Sequence, residues 1–413
     1  MQDAALRIVR RLGTGLAACL LVMGGGCGQS GTSGTGDDGW LKDTRYDRGA
    51  MLVDVAAEVV RPEVAAFRTD AEALAAAVAA WRQAGGKPEG REAARTAWKA
   101  AFLRWQTLEV FQFGPAAMDA HALRDRIYGY PVTSACAVDQ ATAGCDPAGT
   151  CDAADVLPNR KGLDALEALL FRDSSEHECP GPAAPAAWAG WSETERWQRR
   201  AAWADAVGKD LVVAATLLDD GWRQDAGNYV AVLQDAGASG NPFPSLREAL
   251  NHYTDALYYV DHETKTMKLG QPTGIVANAC GLFEEPCLLA LESRYAHQSK
   301  EAIVANLKAL QLAVLGRPLA AGGRGPGIGA WLRAVDATAL AERWEAEIAA
   351  AIAAAEAIPG SLHDALTAEA DSAPRKAATA AYDAAQTMSK TMKSDLMTVL
   401  GLDLPDAAAA DAD

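Results

Sequence analysis

Basic charge is scarce in this sequence. Lys and Arg number 38 against 54 Asp and Glu, for a formal net charge of −16, and the first 26 residues hold Arg7, Arg10 and Arg11 against Asp3, so the chain beyond them is more acidic still. A phosphate backbone needs a basic partner surface, which excludes nucleic acid as a ligand class. Histidines are few: His121, His177, His252, His262, His297 and His363. None forms an H-E-x-x-H pair, and the ten-residue interval between His252 and His262 is not a one-turn ligand spacing. Each histidine reads as a surface or core residue, with His262 beside Glu263 as the reserve nitrogen donor. A G-x-x-x-x-G-K-[ST] phosphate loop, a G-x-S-x-G elbow and C-x-x-C spacing are all missing. Long apolar runs are missing too, since LGTGLAACLLVM near the start is too short to span a bilayer.

That short run has a different meaning. It follows Arg10-Arg11 and precedes GGG and Cys27, the three parts of an export signal, so residues 1–27 read as a lipoprotein-type signal ending in the lipid-anchor Cys27. Cys19, in LAAC, is the alternative acceptor, but it leaves a shorter apolar region. The Gly-Ser-rich stretch 28–45 then reads as a flexible tether. The expected location is the cell envelope, with the membrane touched through the lipid alone. The remaining cysteines, Cys136, Cys145, Cys151, Cys179, Cys280 and Cys287, are even in number, as expected for disulfides in an exported chain. Cys280 and Cys287 enclose a short loop and are the simplest pair. The other four allow three connectivities, and a zinc site is the rival reading.

With 413 residues, 50% hydrophobic and 22% charged, the chain is globular in composition and long enough for two or three domains. Apolar residues recur at three-and-four spacing in the series Val64, Phe67, Ala71, Leu74, Val78, Trp81; Trp98, Phe102, Trp105; Ile303, Leu307, Leu310, Val314; and Tyr382, Ala385, Met388, Met392, Leu396. Strand-like alternation is rare. The fold class is therefore all-α, built of helical bundles. Pro62 predicts a kink or restart in the first helix. A long Gly- and Cys-containing stretch between Phe113 and Arg160 reads as an irregular loop fastened by disulfides. DAGASGNPFPS at 235–245 marks a junction between a helical domain at 46–234 and a second at 235–405, with an acidic and alanine-rich tail at 406–413.

Four acids sit where a helix should be apolar. In KGLDALEALLF, Glu167 falls inside the arc of Leu163, Leu166, Leu169, Leu170 and Phe171, and Asp164 lies at its edge. Glu109 continues the stripe of Trp98, Phe102 and Trp105, and Glu292 falls between Leu288, Leu291 and Tyr295 on a helical wheel. Burying an ionised carboxylate alone costs several kcal/mol, so each acid must meet a cation, a metal or a proton. Interhelical ion pairs with Arg294, Arg104, Arg126 or Lys161 are one answer. A metal ion shared between helices is the economical one for four converging acids.

These stretches resemble the imelysin-like family of bacterial envelope proteins, whose hallmark is a helical G-x-H-x-x-E motif; Gly162, Asp164 and Glu167 stand in that frame. WKAAFLRWQTLEVFQFGP resembles the family's early helix, with Trp98, Glu109, Gly114 and Pro115 in register. KLGQPTG followed by LESRYAHQSKEAIVANLKAL resembles its second-half signature, carrying Glu292, Ser293, Arg294, Ser299 and Asn306. MKSDLMTVLGLDL resembles its closing helix. The resemblance spans about residues 46–405 and implies two helical bundles with a site where their signatures meet. It also implies either a role in iron acquisition or peptidase activity. Asp164 replaces the motif histidine, and a hard oxygen in place of imidazole favours iron, calcium or manganese over zinc.

The expected function is accordingly binding of iron or an iron complex within an envelope uptake system that includes other components. Glu109, Asp164, Glu167 and Glu292 are the oxygen ligands, and Arg294 and Ser293 bind or balance the ligand. The alternatives are a metal-dependent peptidase with Glu167 as general base, and an interaction module whose buried acids are structural.

Overall fold

The three-and-four series emerge as helices that bury those same residues. In the computed structural model, which describes residues 45–281 and 285–405, α1 (Arg48–Val55) runs through a π turn (Ala56–Val60) into α2 (Arg61–Gln83). Helix α2 buries Val64, Phe67, Ala71, Leu74, Val78 and Trp81. Pro62 lies in the first turn of α2, where a missing N–H costs little, so the expected interruption takes the form of a π turn within a continuing rod. In α3 (Glu92–Glu109), Trp98 stacks on Phe102 with centroids 4.6 Å apart, and Trp105 meets Phe67 of α2 at 5.1 Å. The export signal, Cys19, Cys27, almost all of the 28–45 tether and the 406–413 tail lie outside the described residues.

The segment after α3 is more ordered than its composition suggests. It contains α4 (Met118–Ile127) and α5 (Ala135–Ala143) among turns, before the chain enters α6 (Gly162–Phe171). Disulfides fasten it: Cys136 pairs with Cys179 and Cys145 with Cys151, which selects one of the three connectivities. Cys280 pairs with Cys287 as expected. With all six joined, these cysteines hold no zinc.

The long α7 (Glu193–Trp222) and short α8 (Tyr229–Gln234) follow, then α9 (Leu246–Leu257) and a π-helical stretch, Val260–Gly270. The last part of the chain supplies α10 (Ser299–Leu315), α11 (Ile328–Ala334), α12 (Thr338–Glu356), α13 (Leu362–Thr367) and α14 (Ala373–Thr391). Helix α2 packs on α3 and α7, while α12 packs on α10 and α14. Helix α3 lies against α10, which brings the motifs of the two sequence halves together. Among the described residues no strand forms beyond an isolated bridge between Pro318 and Arg324, and no helix is long and apolar enough to cross a membrane.

Candidate functional site

Helix α6 is a buried helix: each residue from Gly162 to Leu170 is buried. Its sequence is apolar nearly all round, which is the pattern of a central helix rather than a surface one. Asp164 and Glu167, only 7% and 4% exposed, therefore meet solvent through a narrow opening alone. Gly162 lets the helix start this deep. Its φ is +80°, and a Cβ there would stand 2.6 Å from the carbonyl oxygen of Ile127, so only glycine brings α6 so close to the end of α4. Trp98 of α3 donates from Nε1 to the Leu163 carbonyl at 2.8 Å and fixes α6 from the other side.

Glu167 is held by a turn from the second half of the chain. Its Oε1 accepts from Ser293 Oγ at 3.0 Å, Tyr295 N at 2.9 Å and Ala296 N at 2.8 Å. Burial nevertheless dominates and pushes its carboxyl up to about 7, with the nearby Glu292 adding to the rise and the three hydrogen bonds opposing it. Ser293 is itself fixed: its N–H donates to Ser299 Oγ at 3.0 Å, and its Oγ accepts from Gln298 N at 3.2 Å. Ser293→Ala should therefore raise the Glu167 pKa above about 7, because it deletes one donor to the carboxylate. Carbon-detected NMR titration of the Glu167 carboxyl checks this, and an unmoved or lower value would contradict it.

Asp164 has no such support. Burial first, then Glu167 and Glu292, push its carboxyl well above the usual range, and its Oδ2 is buried without a hydrogen-bond partner. Glu292 was expected on a helix but lies in a turn at 292–296, just after a single 3₁₀ turn, Leu288–Ala290. The run is too short and too interrupted to nucleate an α-helix. Its Oε1 meets Lys268 Nζ at 2.7 Å and accepts from the Tyr128 hydroxyl, while its Oε2 is buried and unpartnered. Lys268, fully buried, also donates to Gln106 Oε1 at 2.6 Å and Asn306 Oδ1 at 2.9 Å.

Glu109, at the end of α3, is fully buried and paired with Arg124 at 2.9 Å. The carboxylate beside it holds the Arg124 guanidinium firmly protonated despite its burial. The cations that sequence alone offered as partners are engaged elsewhere. Arg104 bonds Glu63 and Asp70, Arg126 and Lys161 approach Asp210, and Arg294 pairs with Glu178 and the Tyr295 hydroxyl. Arg124 and Lys268 escaped the sequence reading because they come from a loop-like segment and a π-helical stretch. Lys268 does begin the KLGQPTG signature, which was the available signal.

Asp164, Glu167, Glu292 and Arg294 line one cleft of about 120 Å³ with Tyr130, Thr133 and Tyr295. Glu109 is not among its lining residues. Thr133 Oγ1 is a third buried polar atom there without a partner, beside Asp164 Oδ2 and Glu292 Oε2. Arg294 stands partly exposed, with 29% of its side chain accessible, so it forms the rim. The burial of Tyr130, strengthened by Glu292 and Asp164, keeps its hydroxyl protonated and able to donate. Asp164, Glu167 and Glu292 do not bring three oxygens within 4.8 Å of one another, so an ion shared by all three would need water for part of its shell. The donors that are free are hard oxygens, which fit ferric iron, calcium or manganese.

The Imelysin family model, also described as peptidase M75, matches residues 55–392, the span that carries every one of these side chains. The chain belongs to the imelysin family. The imelysin-like chain is also 27% identical over 217 residues to iron-regulated protein A of Synechococcus elongatus, a match covering 52% of each protein. It thus spans about half the length of that curated relative. An imelysin-like protein from Psychrobacter arcticum superposes with a TM-score of 0.63 at 19% identity, over 87% of this chain and 96% of that one. A structure described as an iron-regulated protein A precursor from Parabacteroides distasonis gives 0.62 at 19% identity, over 90% and 96%. At that identity the two structures speak for the imelysin-like fold alone.

Proposed function

We propose that this imelysin-family protein binds a hard cation, ferric iron first among them, in the cleft of Asp164, Glu167 and Glu292, as the cation-binding component of an envelope uptake system. The observation that carries this reading is the set of buried, unpartnered oxygens facing one small cleft: Asp164 Oδ2, Glu292 Oε2 and Thr133 Oγ1. Leaving such atoms unsatisfied costs about 1–3 kcal/mol each, so they are more stable with an occupant. Pockets that engulf organic ligands measure about 300–1,000 Å³. The cleft, at about 120 Å³, is nearer the size of an ion with some of its waters than that of a bulky iron complex. Lys268 and Arg124 already neutralise Glu292 and Glu109, which leaves Asp164 and Glu167 as the carboxyls that would ionise when a cation enters. The expected lipid anchor at Cys27 would hold the protein at the membrane.

The name given to iron-regulated protein A of Synechococcus elongatus supports an iron-associated role by similarity. The test is equilibrium dialysis of untagged protein against ferric citrate and, separately, calcium and manganese. Wild type is expected to retain about one ion, and Asp164→Asn to lose at least tenfold in affinity, since one carboxylate ligand is worth upwards of 1.4 kcal/mol. Equal retention by both proteins would remove the cleft as the site.

A second reading has one observation in its favour. Glu167, pushed up to about 7, matches the range of a general base working at neutral pH, as a metal-dependent peptidase requires. Its Oε1, however, already accepts three hydrogen bonds, which is the arrangement of an anchoring carboxylate. Peptide hydrolysis abolished both by chelator and by Glu167→Gln would favour the peptidase.

A further inference from the structure

The turn that clamps Glu167 ends at His297, which takes a left-handed backbone conformation with φ +55°. Non-glycine residues accept that conformation at a cost, and here it swings the imidazole away from the cleft toward α13. His363, on the first turn of α13, lays its ring over that of His297, with centroids 4.1 Å apart and planes 12° from parallel. Asp364 follows, with Oδ1 at 3.6 Å from His363 Nδ1, too long for a hydrogen bond. His363 Nδ1 is buried and has no hydrogen-bond partner. One donor atom from each of the three residues lies within 4.8 Å of the other two, the one such trio among the described residues.

We propose that His297, His363 and Asp364 form a second metal site, selective for zinc-type divalent transition ions, which fastens the 292–297 turn to α13.

The chemistry of the three side chains supports it. Parallel imidazoles at this spacing repel when both are protonated, and burial followed by the neighbouring His363 holds His297 below its ordinary range. Neutral imidazole is the form that ligates a metal. Asp364 is held ionised by the Ser361 hydroxyl and backbone; its Oδ2 accepts from Ser361 N at 3.2 Å in the N-terminal capping box of α13. That leaves Oδ1 turned toward His363. Zinc takes nitrogen and carboxylate oxygen at about 2.0–2.2 Å, so donors on one ion stand roughly 3–3.5 Å apart, and small side-chain rotations close the remaining gap. All three residues are partly or fully exposed, so water can complete the shell. Two nitrogens and one oxygen rank zinc, copper and nickel above calcium, the reverse of the all-oxygen cleft. The two sites are thus distinguishable by metal.

Isothermal titration of untagged full-length protein with zinc chloride is expected to show one equivalent that is lost in both His297→Gln and His363→Gln and kept in Asp164→Asn. The same zinc stoichiometry in wild type and His363→Gln would overturn the proposal, as would loss of that equivalent in Asp164→Asn. Anomalous diffraction above the zinc edge from soaked wild-type crystals makes the result independent of whether the variants fold. A peak between the three side chains is expected, and its absence rejects the site. Because calcium and ferric iron are read at the cleft and zinc here, failure of one site leaves the other reading intact.

Discussion

Lys268→Met is expected to destabilise the protein by about 3–5 kcal/mol at pH 7, the cost of stripping one partner from a buried ion pair. Lys268 is fully buried and bonds Glu292, Gln106 and Asn306 at 2.7, 2.6 and 2.9 Å. Methionine fills the space but leaves the Glu292 carboxylate without its counter-charge, and it removes one of two donors from each of the Gln106 and Asn306 amide oxygens, which keep Asn306 Nδ2 at 3.3 Å and Thr264 Oγ1 at 3.2 Å. Adding Glu292→Gln removes the uncompensated charge and should recover part of the loss, whereas Glu292→Gln alone leaves the Lys268 ammonium stranded. Urea unfolding of the four proteins in a double-mutant cycle checks this, with a coupling term above about 1 kcal/mol expected for residues in direct contact. Strict additivity would mean that the pair contributes nothing. Since Gln106 comes from α3, Asn306 from α10 and Glu292 from the turn before α10, the same variant should also weaken cation binding in the cleft.

Stability of the metal-free protein should fall as pH rises across the range where most proteins gain it. Glu167 has an ordinary pKa of 4.5 and is pushed up to about 7 by burial, so the folded state holds its proton more tightly than the unfolded chain. Its contribution is fully present below 4.5 and is lost as pH rises through about 7. At about 1.4 kcal/mol per unit, that shift amounts to about 3 kcal/mol between pH 4.5 and pH 8. Asp164, also raised, acts in the same direction. Glu167→Gln should flatten the profile of unfolding free energy against pH, and a slope unchanged by the substitution would contradict the assignment. A bound cation opposes the trend, because it displaces the protons and favours both carboxylates ionised. Cation affinity should therefore rise with pH over the interval in which the metal-free protein loses stability.

How far the site was legible depends on the residue. The aromatic stripe of α3 and the GLDALEALLF helix were visible as periodicity, and an acid inside an apolar arc marks itself by the cost of burying it. Glu109 and Glu167 carry that signal, and both are buried on helices. For Glu292 the helical wheel misled, although its burial and its place at the cleft agree with the pattern. The counter-charges were not legible: Arg124 and Lys268 sit 15 and 24 residues from the acids they neutralise, too far for any local spacing to relate them. The paired rings of His297 and His363 lie farther apart still.

By itself the sequence determined the helical class, the family, the acids that needed an answer and the pairing of Cys280 with Cys287. The class and the acids follow from periodicity and the cost of burying charge, the cysteine pair from residues close together along the chain, and the family from the resemblance of its ordered motifs. Only the tertiary structure decided which acid takes a lysine, which an arginine, which three hydrogen bonds and which nothing at all. The physical reason is that the state of a buried charge depends on what lies within a few ångströms in space, and here those neighbours come from α3, α4, α6, the π-helical stretch and the turn before α10.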